Sequence, residues 1–599
     1  MYTKAVRAAK KSYLRSRASA LKRRGGVFKL ISKNNSGGKD RSISQIQVDG
    51  NICKDPQEIA NHFKHTFTEK IERLSRDPNP EPIMDCLKSK FGIPEEWDLE
   101  SCSHDVVARA IDDLRPSMSS GPDGIPNLLL KNLKFEIVPA MTIIANRSIE
   151  SGIFPTPWKA GRVLPVHKRG SKLSADNYRP ICLSSNLGKL LELIIGKQIN
   201  LALERILPEN CFGFRRGKGT ESALVHLLDN ARKIRSRGQK VALLALDVSS
   251  AFDLISHSVI LESLAAVGGG PRLLAWCRSF LSGCSQFVEV GPAKSESWIS
   301  ERGSGQGKRL SPPLFNIGSM SQCFWSIISI VTNFADDSMD LIYGNTAKEC
   351  DEKLRQVVSE KIKWYAAVGL PLNAKKSELL GIGYEPSPLM IDGNLIEAKQ
   401  SITFLGLTIS SDLKMDSHVT NVCNKLRAAA GRIRSEGRFF TIGDRRLLFN
   451  AWCRGTISSN ALAYLPSCNS TELIKLNTAL NCGIRAVAGL PRYGKAPLTV
   501  IRKKLNLPAA EDIKEHALLK NAWKNRTTFI LSSSRSGPVT RGMNNLNVPH
   551  PIQKGALKDM VSTHTALAWN RLPTHIKTEE IATKAMNSLK KLCFPNKSH

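Results

Sequence analysis

The sequence predicts an α+β fold on three observations. Val241 to Leu246 is a near-continuous apolar run of strand length ending in Asp247, the pattern of a central strand covered on both faces. An apolar stretch from Trp325 to Val331 runs into Asp336-Asp337 and out through Met339-Asp340-Leu341-Ile342-Tyr343, which reads as strand, tight turn, strand. On either side of these segments the apolar residues recur mostly at helical intervals.

In chain order, the first 39 residues hold twelve Lys or Arg and no acid, a basic arm suited to phosphate contact without sequence preference. Ile59, Phe63, Phe67 and Ile71 give a helix over Pro56 to Leu74. A second helix over Asp105 to Leu114 is stopped by Pro116 and the turn-rich Ser119 to Pro126. Leu128 to Ser151 reads as one helix, and Arg162 to Lys168 as a short strand entering a basic turn. Asn177-Tyr178-Arg179-Pro180 reads as a turn before an apolar helix from Leu187 to Gln198. Cys211 to Thr220 is a Gly-rich basic loop opening a helix, Glu221 to Arg237; such a loop suits either a phosphate or plain flexibility. A helix from His257 to Ala266 follows, with Asp253 before it read as a local brace. Gly303 to Asn316 is a Gly-rich turn entering a helix through Pro312 and Pro313. Gly369 to Ser377 begins a strand, Ile402 to Ile409 reads as a single strand interrupted at Gly406, and Asn424 to Arg446 is a basic helix. An amphipathic helix closes the chain.

Eighty-six Lys and Arg against 53 Asp and Glu leave a charge of +33 over 599 residues, which points to a polyanionic partner. No apolar run approaches the roughly 20 residues of a membrane span, and no secretory leader is visible, so an intracellular protein is expected. The fourteen Cys show no C-x-x-C pair; Cys453, Cys468 and Cys482 lack metal-ligand spacing, and reduced thiols are expected.

An Asp-Asp pair on a hairpin tip is ordinarily just solvated. Asp247, at the end of a buried strand, supplies a third carboxylate, and three carboxylates satisfy the oxygen-rich octahedral demand of Mg²⁺. Two such ions promote in-line displacement at phosphorus, so the chemistry indicated is nucleotidyl transfer.

Eight motifs then follow one another over about 290 residues: SSGPDGIP, PVHKRG with NYRPICLSS, FGFRRGKGTESAL, ALDVSSAFDLISH, GQGKRLSPPLFN, NFADD, GLPLNAKKS and TFLGLTIS. In this order they resemble the reverse transcriptase of non-LTR (LINE-type, Jockey-like) retrotransposons. The basic arm is similar to the linker after the endonuclease of such elements, and Trp569 to Ile576 to a common tail motif. The resemblance implies a right-hand polymerase: fingers, a palm with a ferredoxin-like antiparallel sheet and a helical thumb, with α-helical N- and C-terminal extensions. Its expected parts are a basic helical extension (1–100), an N-terminal fingers extension (101–147), fingers and palm (148–410), thumb (411–500) and a helical tail (501–599).

It further implies an RNA-directed DNA polymerase using two Mg²⁺, or Mn²⁺, held by Asp247, Asp336, Asp337 and the Val248 carbonyl. Arg179 and Lys168 would grip the triphosphate, and Phe252 would exclude a ribose 2′-OH. Gln306 and Gly307 would line the nucleotide, and Lys376 would protonate the leaving pyrophosphate. Phe404, Leu405 and Gly406 would form the primer-grip hairpin. The implied partners are an RNA template, a DNA primer or target and dNTPs, with no membrane, in nucleus and cytoplasm. The chain departs from the family at Lys308, where relatives have Ser, at Pro313 and at Arg302-Gly303-Ser304. No segment matches the endonuclease that such elements carry, which would then be separately encoded or missing. The alternative reading is an inactive nucleic-acid-binding remnant, motivated by Lys308 and that absence; a nuclease or transposase would need neither Phe252 nor the GQG loop.

Overall fold

The computed structural model describes residues 43–525, 560–572 and 582–593, with positions 12, 28 and 576. Most of the basic arm and the Pro573-Thr574-His575 part of the tail motif lie outside the described residues. The α+β class holds: helices pack around two five-stranded sheets. Among the described residues no helix is long and apolar enough to cross a membrane.

The N-terminal extension is not wholly helical as expected, since β1 (Ile46–Val48) and β2 (Asn51–Cys53) form a hairpin. Helix α1 (Pro56–Leu74) follows, its Asp55 cap accepting from the Glu58 N–H and Pro56 occupying the first turn. The single helix expected over 128–151 is two, α2 (Asn127–Asn132) and α3 (Lys134–Ser151), because Leu133 leaves the helical region at ψ 32°.

The outer sheet holds β3 (Gly161–His167) and β4 (Tyr178–Ser184), then, after α4 (Asn186–Ile206), α5 (Thr220–Arg235), β5 (Lys240–Leu246) and α6 (His257–Ala266), the strands β6 (Cys284–Val290), β7 (Ala293–Lys294) and β8 (Trp298–Ser300). Its order is β4-β3-β6-β7, with β8 also on β6. Tyr178-Arg179-Pro180, expected as a turn, begins β4. A proline is tolerated because β4 is an edge strand, where a missing N–H removes no ladder bond.

The central sheet is built from β5 and, beyond α7 (Ser311–Ser319), from β9 (Ser329–Phe334) and β10 (Asp337–Gly344). Helix α8 (Ala347–Val368) leads to β11 (Glu378–Ile382), the small hairpin β12 (Leu389–Ile391) and β13 (Asn394–Ile396), and β14 (Ala398–Lys399). The order is β14-β11-β5-β10-β9, so the apolar strand is the middle one. Alternation divides its residues between two cores: Ala242, Leu244 and Leu246 face the one that includes α8, and Val241 and Leu243 the other.

Ile402 to Ile409 is a hairpin rather than one strand: β15 (Ser401–Phe404) and β16 (Leu407–Ser410) turn at Leu405 and Gly406, both at positive φ. It packs on α9 (Asp416–Glu436), which with α10 (Ile442–Phe449) replaces the continuous basic helix expected over 424–446, the chain breaking at Gly437–Phe439 before the Thr441 cap. Helices α11 (Ala510–Lys524), α12 (Val561–Arg571) and α13 (Ala582–Cys593) form a separate small core.

The joint between this hairpin and α9 contains a buried histidine. His418 Nδ1 accepts the Thr408 N–H at 3.2 Å, and burial, then Lys425, depress its pKa to about 4. The unfolded chain takes up this proton first, so stability falls as pH drops from about 6.5 to 4, by roughly 3 kcal/mol at the lower end. His418→Asn is expected to flatten that dependence, read as urea unfolding at pH 7 and 4.5. Parallel pH slopes for the two proteins would refute it.

Candidate active site

The β5–β10 ladder pairs Ser338 with Leu246; one step further, the same register sets Asp337 opposite Asp247. Opposed residues on neighbouring antiparallel strands project from the same face with Cβ atoms about 5 Å apart, so the carboxylates converge by register alone. The β9–β10 ladder pairs Asp337 with Phe334, leaving Ala335 and Asp336 as a two-residue turn. Ala335 has φ +59° and Asp336 does not share that sign, the pattern of a II′ hairpin turn. The turn is braced from below by residues 210–213: Phe212 N–H donates to the Asn333 carbonyl at 2.8 Å, and the Asn333 N–H to the Asn210 carbonyl at 2.9 Å. Any Cβ at Gly213 would strike the Ala335 backbone. The Gly-rich basic loop thus serves partly as a support, with Arg215 turned inward onto the Pro208 and Cys211 carbonyls.

Asp247, Asp336 and Asp337 line one cleft of about 420 Å³. The tips of Asp336 and Asp337 reach solvent, while the cleft walls strip much of their water. Desolvation raises all three pKa values; Asp336 and Asp247 push Asp337 further, to about 6. Asp247 Oδ2 is buried without a hydrogen-bond donor, with Lys376 Nζ 3.7 Å away. Among the described residues no three acidic, His or Cys side chains are closed to ligand distance. The triad is therefore convergent but open, an all-oxygen donor set of the kind a hard divalent cation takes. Val248 lines the same cleft.

Lys168, Arg179 and Lys376 bring positive charge to this cleft. Arg179 stands opposite Val166 on the β3–β4 ladder, next to the strand end that Lys168 continues. Lys376 sits in a short helical turn, Ala374–Lys376, tied to the strand end by the Asn373 N–H to the Asp247 carbonyl at 2.9 Å. Phe252 stacks on Phe315 with centroids 4.3 Å apart and meets Phe214 edge-on, which fixes its ring on the cleft wall. Gln306 enters because its carbonyl accepts the Cys182 N–H at 2.9 Å. Gly307, at φ +111°, lies so close to β4 that a Cβ would overlap the Cys182 carbonyl. Buried Glu192 accepts from the N–H groups of Arg309 (2.6 Å) and Leu310 (3.2 Å), holding the end of this loop at the start of α7.

Phe404 is buried in the core shared with α9, and the Leu405 carbonyl accepts from Asn460, so the β15–β16 hairpin stands outside the cleft lining. Lys308 turns away from the cleft: its ammonium lies 3.0 Å from Cys284 Sγ and 4.7 Å from the Phe280 ring. Sequence reasoning missed two contributors. Asp253, read as a local brace, lines the cleft with its carboxyl pushed up to about 6 by burial. Thr66, Phe67, Lys70 and Ile71 of α1 form another wall, of which the sequence shows Phe67 and Ile71 only as part of an apolar stripe. His257 braces the loop through Nε2 and the Gly303 carbonyl, 3.0 Å apart.

Residues 166–409 match the family described as reverse transcriptase (RNA-dependent DNA polymerase). Among curated proteins, the chain is 22% identical to the probable RNA-directed DNA polymerase from transposon BS of Drosophila melanogaster, over 77% of this chain and 53% of that one. It is 23% identical to the RNA-directed DNA polymerase from mobile element jockey of the same species, over 68% and 44%. The chain thus spans about half the length of these relatives. A solved structure of telomerase from Candida albicans, in complex with a fragment of telomeric RNA, is 13% identical with a TM-score of 0.32, covering 66% of this chain and 71% of that one.

Proposed function

From a chain that carries a reverse transcriptase domain of the non-LTR retrotransposon type, we propose an RNA-directed DNA polymerase that adds deoxynucleotides to a DNA 3′ end on an RNA template. The observation that carries this reading is one cleft that gathers Asp247, Asp336 and Asp337 with Lys168, Arg179 and Phe252. Two Mg²⁺, or Mn²⁺, held by the three carboxylates and the Val248 carbonyl would neutralise charge on the attacking and leaving oxygens. The primer 3′-hydroxyl loses its proton to solvent as its oxygen forms a bond to the α-phosphorus, the bond from that phosphorus to the bridging oxygen breaks, and pyrophosphate leaves. Arg179 and Lys168 orient the phosphates through charge-assisted hydrogen bonds. Lys376, on the lip beside Asp247, gives a proton to the departing pyrophosphate. Gln306 and Gly307 bring backbone close to the nucleotide, and the hairpin at Phe404, Leu405 and Gly406 holds the primer. The charge of +33 suits an RNA template and DNA primer, in nucleus and cytoplasm.

The orientation of Lys308 removes one motive for an inactive remnant, since its ammonium is engaged beneath the loop and not beside the nucleotide. The decisive assay is extension of oligo(dT) on poly(rA) with dTTP and Mg²⁺; no incorporation by the wild-type chain would refute the reading. The same assay tests the gate. Phe252→Val is expected to shift the ribo- to deoxynucleotide incorporation ratio roughly a hundredfold towards ribonucleotides, because a ring that clashes with the 2′-OH is gone. An unchanged ratio would remove Phe252 from that role.

A further inference from the structure

The cleft has a wall from outside the family-matched segment. The buried stripe of α1 (Ile59, Phe63, Phe67) packs on the outer sheet, with Phe63 edge-on to Tyr178 at 5.0 Å. Polar ties hold the helix along its length. Gln57 donates to the Lys294 carbonyl at 2.7 Å, and Lys64 pairs with Glu296 at 2.8 Å. Past its C-terminal end, Arg302 donates to the Arg76 carbonyl at 2.7 Å and to Asp77 at 3.0 Å. Arg302 opens the segment leading to Gln306, so α1 bridges the outer sheet and the nucleotide loop. Lys70 lies three residues after buried Phe67, on the same face of the helix, and that packing aims it into the cleft.

The charges in the cleft give Lys70 a distinct position. Arg179 acts on Asp336 and Lys376 on Asp247; Lys70 is the foremost charge acting on Asp253 and on Lys168, ahead of Arg179 and Lys376 at the latter. Lys70 therefore stands beside Lys168 and Asp253 on the cleft wall that α1 supplies. Its ammonium forms no ion pair among the described residues, in contrast to Lys64 on the same helix. An anion that reaches from the acids to Lys70 and Lys168 meets positive charge at its far end, as a nucleoside triphosphate with its α-phosphate at the acids would.

We propose that α1 completes the nucleotide site and that Lys70 binds the terminal phosphates of the incoming dNTP, with Asp253 as its counter-charge while the cleft is empty. The proposal rests on the polymerase reading for the identity of its ligand. Lys70→Gln is expected to raise KM for dTTP on poly(rA)/oligo(dT) by about tenfold or more with kcat within about twofold, the loss of one charge-assisted hydrogen bond. Lys70→Arg should recover most of the affinity, and Lys64→Gln, on the sheet-facing side, should leave KM unchanged. A KM for Lys70→Gln within about twofold of wild type overturns the proposal, as does a loss confined to the Kd for template–primer, which would mark a template contact. Equilibrium dialysis of labelled dTTP with Mg²⁺ and a chain-terminated primer–template separates this failure from that of the polymerase reading. Wild type that binds dTTP without incorporating it, with weaker binding in Lys70→Gln, upholds the site and sinks the polymerase; no dTTP binding by wild type overturns both.

Discussion

Asp336→Ala is expected to lower dTTP incorporation on poly(rA)/oligo(dT) by roughly a thousandfold or more while the chain stays folded. Asp336 sits at the second position of the β9–β10 turn, so its side chain is set by the turn and not by core packing. Removing it leaves no cavity. Its carboxylate is held above the usual range by desolvation and then by Asp247, which means that ionised Asp336 destabilises the folded state without a cation. The variant should therefore melt at the wild-type temperature or above it, the reverse of a structural substitution. Thermal unfolding without added metal, run beside primer extension, separates the outcomes. Incorporation within about tenfold of wild type would refute the role of the hairpin; loss of activity with a lowered melting temperature would reduce it to a fold element.

The acid triad was legible in the sequence because its signals are local: an apolar run ending in Asp, and a hairpin with two acids at its tip. Register, which the sequence does not display, is what sets Asp337 opposite Asp247. Elements were misread where tertiary context overrode a local rule. Pro180 looked like a turn residue, and only the edge position of β4 makes it a strand residue. Leu405-Gly406 is not the Asn-Gly signal of a tight hairpin, so β15 and β16 read as one strand. Lys70 lay beyond reach for a different reason. A lysine on an amphipathic helix reads as solvated, and nothing local shows that its helix crosses a sheet begun about 100 residues later to enter the cleft. Lys308 shows the converse: a substitution beside a motif looked functional, and its side chain points into packing.

Lys361→Met is expected to destabilise the protein by roughly 3–5 kcal/mol, the cost of leaving one charge of a buried pair uncompensated. Lys361 of α8 is fully buried, with Nζ 3.0 Å from Asp340 Oδ2, itself 1% exposed. Asp340 lies on β10 three residues beyond Asp337, and its other oxygen accepts from Ser329 of β9 at 2.9 Å. The pair thus fastens both strands of the acidic hairpin to the helix beneath. Gln322 reinforces the same layer, donating to Ser338 Oγ and to the Tyr365 hydroxyl, each at 3.1 Å. An apolar replacement of both partners removes both desolvation costs together, so Asp340→Leu with Lys361→Met should recover most of the loss, and it decides the matter if the single variant does not fold. Urea unfolding of the four proteins of the cycle gives the coupling. A single variant within about 1 kcal/mol of wild type, or a double variant no more stable than Lys361→Met alone, would show that the pair does not hold the hairpin. If the coupling is as large as expected, the double variant should also restore primer extension, because the pair touches no cleft residue and acts only by fixing where Asp336 and Asp337 stand.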